Sequence, residues 1–240
     1  MCIEHDKIVA MIPARIGSRR LAKKNLALLD NKPLIYYAVT AAKKSNIFEK
    51  IIINSDSKIF KKIAARYNVG FYNRPKKLGS SNTKSDEVIY DFMKRHKGDI
   101  LVWVNPIAPL QTSEKIRNVV NYFIAAEYDS LITVKNENVH CVMDGEPVNY
   151  NPNELFAKTQ DLKSVQPFVY SLMIWKYSSF IKNFENQGFA LMSGKLGFYC
   201  VDAMSSVIIK KEEDLRFAEY ILAGMKEKKN YKIKYDELVN

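Results

Sequence analysis

Lys7 to Asn25 reads KIVAMIPARIGSRRLAKKN, and it constrains the fold more than any other stretch. Its apolar run, Ile8 to Ile12, has the composition of a buried strand, and Pro13 stops it. A turn-prone segment follows, carrying Gly17, Ser18 and the cations Arg15, Arg19, Arg20, Lys23 and Lys24. A buried strand feeding a short basic loop is a common way for α/β proteins to hold nucleotide phosphates. The glycine lets backbone approach an anion, hydroxyl and amide groups donate hydrogen bonds, and cations neutralise charge. Taken alone, the loop equally suits an ordinary basic surface turn, because a single glycine loop is a weak signal.

Downstream, strand and helix signals alternate, which predicts a mostly parallel sheet covered by helices. Pro33 opens a helical pattern in which Leu34, Ala38, Ala41 and Ala42 recur on one face. Lys50 to Asn54 reads as a buried strand, and Ser57 to Tyr67 as a helix with Asp56 or Ser57 as its N-cap. A short strand, Gly70 to Tyr72, leads into a polar loop from Arg74 to Lys84, then a helix from Ser85 to Lys97. Ile100 to Val104 (ILVWV) is the most β-like run and belongs at the centre of the sheet. It ends at Asn105-Pro106-Ile107-Ala108-Pro109-Leu110, where two prolines force an extended turn at a strand's carboxyl end. Thr112 or Ser113 caps the next helix, and Ser130 to Val134 is a further strand.

Regular alternation lapses over about 135–170, which reads as an inserted arm suited to oligomer contacts within a single domain spanning 1–240. Order returns at Phe168 to Lys176. A short helix from Ser178 to Phe184, strands over Gly197 to Val201 and Ser206 to Ile209, and an amphipathic helix from Lys211 to Lys226 follow. Trp103 and Trp175 read as core residues, and Asp56 as a cap rather than a catalyst.

With 47% hydrophobic and 26% charged residues the chain is a soluble globular type, long enough for a substantial core. No apolar run approaches the roughly 20 residues of a membrane span, and the N-terminus lacks a signal-peptide core, so the expected location is cytoplasmic. Cys2, Cys141 and Cys200 are odd in number and lack metal-type spacing, as do His5, His96 and His140. Reduced thiols, and no zinc site built from His and Cys, are the simplest reading. The net charge of +11 points to an anionic partner, although much of it is lysine on helix surfaces. No recognised nucleic-acid module or aromatic-basic platform accompanies it, so nucleic acid is not the expected partner.

Several separated motifs together resemble the acylneuraminate (CMP-sialic acid synthetase) cytidylyltransferases, of which the chain would be a divergent member. Ile12-Pro13-Ala14-Arg15, Gly17-Ser18 and Lys24-Asn25 resemble the family's signature loop. Asn54-Ser55-Asp56-Ser57 stands for its strand-end TDS element, and Arg74-Pro75 with Leu78 and Ser85 for its RPxxL…SS segment. Asn105 to Leu110 stands for QPTSPLR, and Ser206 to Glu219 for the closing SxDxDxxEDLxxAE. The resemblance implies a Rossmann-like α/β nucleotidyltransferase fold with helices on both faces, a small dimerisation arm and a homodimer. It implies CTP and an acidic sugar as substrates, with CMP transferred to a nonulosonic acid for surface glycan biosynthesis and pyrophosphate released. Arg15, Ser18, Arg19 and Lys24 would hold the triphosphate, Ala14 would belong to the nucleotide-binding set, Asn25 would read the cytosine edge, and Arg74 and Ser85 would complete the base and ribose pocket. Asn105 and Gln111 would face the acceptor, Arg15, Lys24 and Lys210 would be catalytic, and Mg2+ would be the cofactor.

The departures fall on the metal and acceptor side. The two closing aspartates of the family fall here on Ile208 and Lys210, so no metal ligands are matched. Asn105 replaces a glutamine, Gln111 replaces an arginine, and Phe168 to Met173 lacks the asparagine-glycine of the NGAIY element. Neither isoleucine nor lysine offers a hard divalent ion a carboxylate oxygen. Three accounts stay open. In the first, the enzyme is active and Lys210 supplies part of the lost positive charge. Alternatively, a metal is held by Asp202, Glu212 or the triphosphate itself. In the third, the protein is a catalytically impaired nucleotide- or sugar-binding paralogue. A nucleotidyltransferase with another base or acceptor is a further alternative.

Overall fold

The opening apolar run becomes β1 (Ile8–Pro13), the strand from which the rest is laid out. The computed structural model describes residues 7–227 and 232–239, so the readings of Cys2 and His5 lie outside the described residues. A small hairpin of β2 (Leu28–Leu29) and β3 (Lys32–Pro33) follows the basic loop. Asp30 and Asn31 turn it with φ of 48° and 58°, the left-handed pair a two-residue turn demands. Then α1 (Leu34–Ser45), β4 (Lys50–Ser55), α2 (Ile59–Tyr67) and β5 (Gly70–Asn73) alternate as predicted. So do α3 (Ser85–Arg95), β6 (Ile100–Val104), α4 (Ser113–Ala125) and β7 (Ser130–Val134). Thr112 caps α4, its hydroxyl accepting the Lys115 amide at 3.2 Å. After a short hairpin, β8 (Val142–Met143) and β9 (Glu146–Pro147), come β10 (Phe168–Lys176), α5 (Tyr177–Gln187), β11 (Leu196–Cys200) and α6 (Glu212–Glu227).

Seven strands form one sheet in the order β11-β7-β10-β6-β1-β4-β5. All neighbours are parallel except β10, which runs antiparallel between β6 and β7. Ala10 and Ile12 point to the face covered by α1, α2 and α4, whereas Val9 and Met11 point to the face covered by α3 and α5. Burial on both faces explains why β1 and β6 are almost continuously apolar. β1 and β6 are neighbours, yet the chain leaves β1 toward β4 and leaves β6 toward β7. Their carboxyl-end loops therefore diverge, and a crevice opens between them.

Three local readings need correction. Ser206 to Ile209 is not a strand but a turn, with the Ser206 amide bonded to the Asp202 carbonyl at 3.0 Å. Among the described residues its one backbone bond beyond the turn is the Ile209 amide on the Ile107 carbonyl at 2.8 Å, too little for a ladder. Neither Asp56 nor Ser57 caps α2, which starts at Ile59 behind Lys58 and has no side-chain cap. Asp56 instead turns toward the basic loop. Trp175 is core as read, its indole donating to the Leu191 carbonyl at 2.8 Å, but Trp103 is only half buried.

Over the arm, the isolated bridge of Glu137 with Val165 draws the two ends together. Asn149 ties its middle, donating to the carbonyls of Val139 (2.9 Å) and Lys163 (2.8 Å) and accepting from the Cys141 amide at 3.0 Å. Cys141 and Cys200 are both free thiols.

Candidate functional site

The crevice between the β1 and β6 loops is a cavity of about 530 Å³. One wall is the basic loop, with Arg15, Ser18, Arg19, Arg20, Leu21, Lys24 and Asn25. The opposite wall runs from Arg74 through Leu78, Ser80 and Thr83 to Ser85 and Val88 on α3. Trp103, Asn105 and Ile107 come from the end of β6, and Lys210 reaches in from the segment before α6. Four arginines and two lysines line the space, and no carboxylate does. Such a wall favours a polyanion over a neutral ligand.

The basic loop is held in shape by a few specific contacts. The Ala14 amide bonds the Asn54 carbonyl at 2.9 Å, fastening the start of the loop to β4. Lys23, with φ of 50°, turns the chain into a short helical turn, Lys24–Leu26, that buries Asn25. Lys24 Nζ donates to the Ile209 carbonyl at 3.1 Å, while the Ile209 amide holds the Ile107 carbonyl. One buried isoleucine backbone thus links the loops that carry Lys24, Asn105 and Lys210. Burial, and then the neighbouring cations Arg20, Arg15 and Lys210, push the Lys24 ammonium down to about 8, against a partial pull from Asp214.

Across the cavity, Arg74 is only 4% exposed and lies 3.9 Å from Asp56 Oδ1. The same carboxylate oxygen accepts the Ile16 amide at 3.2 Å, so Asp56 ties the basic loop to the opposite wall. Gly79 packs so closely on Asp56 that an added Cβ would collide with the carboxylate. Burial lowers the Arg74 pKa and Asp56 opposes that shift. Arg74 Nε and Trp103 Nε1 are buried donors with no partner among the described residues, as a site that completes its hydrogen bonds with a ligand would have. Arg19 also reaches the Ser81 hydroxyl, spanning the mouth of the crevice.

Of the residues singled out from sequence, Arg15, Ser18, Arg19, Lys24, Asn25, Arg74, Ser85, Asn105 and Lys210 all line this one cavity. Ala14 is buried outside the lining and acts through its backbone. Gln111 is also buried outside it, and its amide oxygen and nitrogen have no partner among the described residues. The Asn105 amide is already engaged. It donates to the Tyr170 carbonyl at 3.0 Å and accepts from the Ile107 amide at 3.4 Å, pinning the β6 loop to β10 where Tyr170 takes a φ of 57°. Sequence reasoning gave no site role to the apolar side of the cavity, Leu78, Val88 and Trp103, although Leu78 belongs to the RPxxL…SS element. The signal available for Trp103 was an aromatic residue two positions before a proline turn at a strand's carboxyl end.

A divalent cation does not fit the protein groups present. The cavity lining contains no carboxylate, and among the described residues no three His, Cys, Asp or Glu side chains group as ligands. The two acids considered as substitutes are committed elsewhere, Asp202 to Lys115 at 3.0 Å and Glu212 to Arg216 at 3.6 Å. Ile208, half buried, lies outside the lining, and Lys210 brings a cation to it.

Known proteins resemble the chain in sequence and in fold. Residues 9–232 match the family described as Cytidylyltransferase. The N-acylneuraminate cytidylyltransferase of Escherichia coli O18:K1:H7 is 34% identical over 134 residues, 55% of this chain and 32% of that protein. The chain thus spans about a third of the length of such relatives. The post-translational flagellin modification protein B of Campylobacter coli is 26% identical over 235 residues, covering 90% of this chain and 95% of that one. Among solved structures, a CMP:2-keto-3-deoxy-manno-octonic acid synthetase complexed with CTP aligns with a TM-score of 0.70 at 13% identity, over 90% of this chain and 98% of that one. A 4-diphosphocytidyl-2C-methyl-D-erythritol synthase of Anaerococcus prevotii aligns with a TM-score of 0.64 at 15% identity, over 91% and 99%. At those identities the two structures speak for the Rossmann-like nucleotidyltransferase fold.

Proposed function

The chain belongs to the cytidylyltransferase family, and on that premise we propose that it transfers CMP from CTP to a nonulosonic or similar acidic sugar. One observation carries the proposal: six cations and no carboxylate converge on a single crevice where the β1 and β6 loops part. In the proposed reaction the anomeric hydroxyl oxygen of the sugar forms a bond to the α-phosphorus. The bond from that phosphorus to the bridging oxygen breaks, pyrophosphate leaves with the electron pair, and the hydroxyl proton passes to solvent. Such a displacement needs the reactants held in line and the charge on the non-reacting oxygens neutralised.

Arg15, Ser18, Arg19 and Lys24 take the triphosphate, and Lys210 joins them from the segment before α6. Buried Asn25 has the donor and acceptor to read a cytosine edge. Arg74, with its free Nε, and Ser85 bound the base and ribose region. Asn105 shapes the acceptor side by fixing its loop, and Gln111 belongs to the same loop without reaching the cavity. The remaining cations suit a sugar that is itself an acid. We assign the product to surface glycan assembly, a task in keeping with the names of the relatives. The proposal includes a homodimer made through the arm at about 135–170, and work in the cytoplasm, where CTP is made. No described helix is long and apolar enough to cross a membrane.

The test is incubation of the purified chain with CTP and a panel of nonulosonic acids, with pyrophosphate release as the readout. Release with one acidic sugar and not with neutral hexoses is expected. Folded protein that releases none with any member of the panel would sink the proposal. A thermal-shift series over CTP, UTP, ATP and GTP checks the base, since only the true ligand should stabilise the fold appreciably.

A further inference from the structure

The metal that such chemistry usually recruits finds no ligand group among the described residues, and the groups found instead suggest how the site manages without one. We propose that Lys24, Lys210 and the loop arginines hold the nucleotide's polyphosphate without a protein-bound divalent cation, so that metal-free CTP binds at least as tightly as its magnesium complex. The proposal deepens the reading of the cavity as a CTP site and rests on it.

Three acids on segments that flank the cavity are engaged elsewhere. Asp56 holds the Ile16 amide and faces buried Arg74. Asp214 caps α6, its Oδ2 accepting the amides of Lys210 at 2.7 Å and Lys211 at 2.9 Å. Asp202 is shared between Lys115 and the Ser205 amide. A divalent ion would have to strip one of these carboxylates from its partners and then sit among arginines and lysines. Both steps are unfavourable.

The lysines, by contrast, are delivered deliberately. Ile209 is fully buried against Leu29, Leu34 and Ala218, its amide is fixed to Ile107, and its carbonyl receives Lys24. The next residue, Lys210, is thereby set at the cavity wall, and the Asp214 cap secures its backbone. Both lysines line the one cavity, and Lys210 is the least of the cations that depress Lys24. Holding like charges together costs stability unless an anion joins them, so the arrangement is one that a polyphosphate completes. A magnesium ion on the nucleotide cancels part of the charge to which these cations respond. It therefore weakens the attraction rather than bridging it.

Titration calorimetry on the intact chain decides the matter, with CTP and inorganic tripolyphosphate as probes, each in EDTA and in excess MgCl2. CTP in EDTA should bind no more weakly than CTP in magnesium, and tripolyphosphate should bind without metal. Lys210→Asp lies at an exposed position, and its folding can be checked by melting. It should weaken metal-free CTP by roughly tenfold or more, as expected for reversing a charge next to an anion, and should make binding improve when magnesium is added. CTP that binds only with magnesium would overturn the inference and leave the cytidylyltransferase reading standing. So would an unchanged affinity in Lys210→Asp. If tripolyphosphate binds in EDTA but CTP binds no better than ATP or GTP, the inference stands and the choice of CTP falls. If neither probe binds in EDTA, the inference falls.

Discussion

Lys24 does two jobs, and its titration should report both. It holds the Ile209 carbonyl and lines the proposed phosphate site, with an ammonium pushed down to about 8 by burial and by Arg20, Arg15 and Lys210, partly offset by Asp214. Because the folded value lies below the ordinary one of 10.5, the unfolded chain binds more protons between the two. That part of the stability therefore rises with pH over the window from about 8 to 10.5. Ligand binding runs the other way. A polyphosphate favours the charged lysine, so at pH 8 binding should take up about half a proton, and affinity should fall as pH rises further. Calorimetry in buffers of different ionisation enthalpy measures the uptake, and Lys24→Met should abolish it. Residues of this kind were legible in sequence because their spacing along one loop survives folding. Asp56 and Trp103 were not. Asp56 looked like a helix cap until the chain brought Ile16 and Arg74 to it, and Trp103 looked like core until the cavity opened beside it.

Among the elements, the segment from Asp202 to Lys211 matters most for the site, and it is the one whose type was misread. Val207, Ile208 and Ile209 have strand-like composition, but among the described residues the segment's one backbone bond outside its own turn runs from the Ile209 amide to the Ile107 carbonyl in the β6 loop. Ile209 instead plugs a small apolar cluster with Leu29, Leu34 and Ala218, which fastens α6 to the β2–β3 hairpin. Ile209→Ala should cost about 2–4 kcal/mol in denaturant unfolding, the usual price of truncating a fully buried isoleucine. It should also weaken CTP binding, since the backbone that receives Lys24 and positions Lys210 loses its anchor. Ile208→Ala, half buried and outside the lining, should change both less. Equal effects of the two would mean that the segment acts only as packing. The alternating strands and helices were readable because each buries a periodic apolar face. The hairpin within the arm was missed, although Asp144-Gly145 between Val142-Met143 and Glu146-Pro147 carries a turn signal.

At the scale of the whole molecule, the arm presents apolar surface that the described chain does not cover. Leu155 is 97% exposed and Phe156 78%, and Val142 and Met143 stand out on the short hairpin. Phe156 stacks on His140 with ring centroids 4.1 Å apart, so the exposed group is organised rather than loose. Exposed apolar side chains on such a segment suit a contact between two copies, which is the basis of the proposed dimer. The cavity draws its lining from residues 13–107 and 210, none of them in the arm. Breaking the dimer should therefore leave the nucleotide site largely intact. Light scattering on the purified chain should give the mass of a dimer, and Val142→Asp combined with Leu155→Asp should give that of a monomer. CTP affinity should stay within about threefold, while the melting temperature should lose its dependence on protein concentration, because association no longer adds to stability by mass action. A wild-type chain that is monomeric at the concentrations used for calorimetry would end the dimer proposal. A double variant that stays dimeric would move the interface off the arm. Loss of CTP binding in a folded monomer would mean that the second copy props up the crevice, a coupling that the lining residues alone do not require.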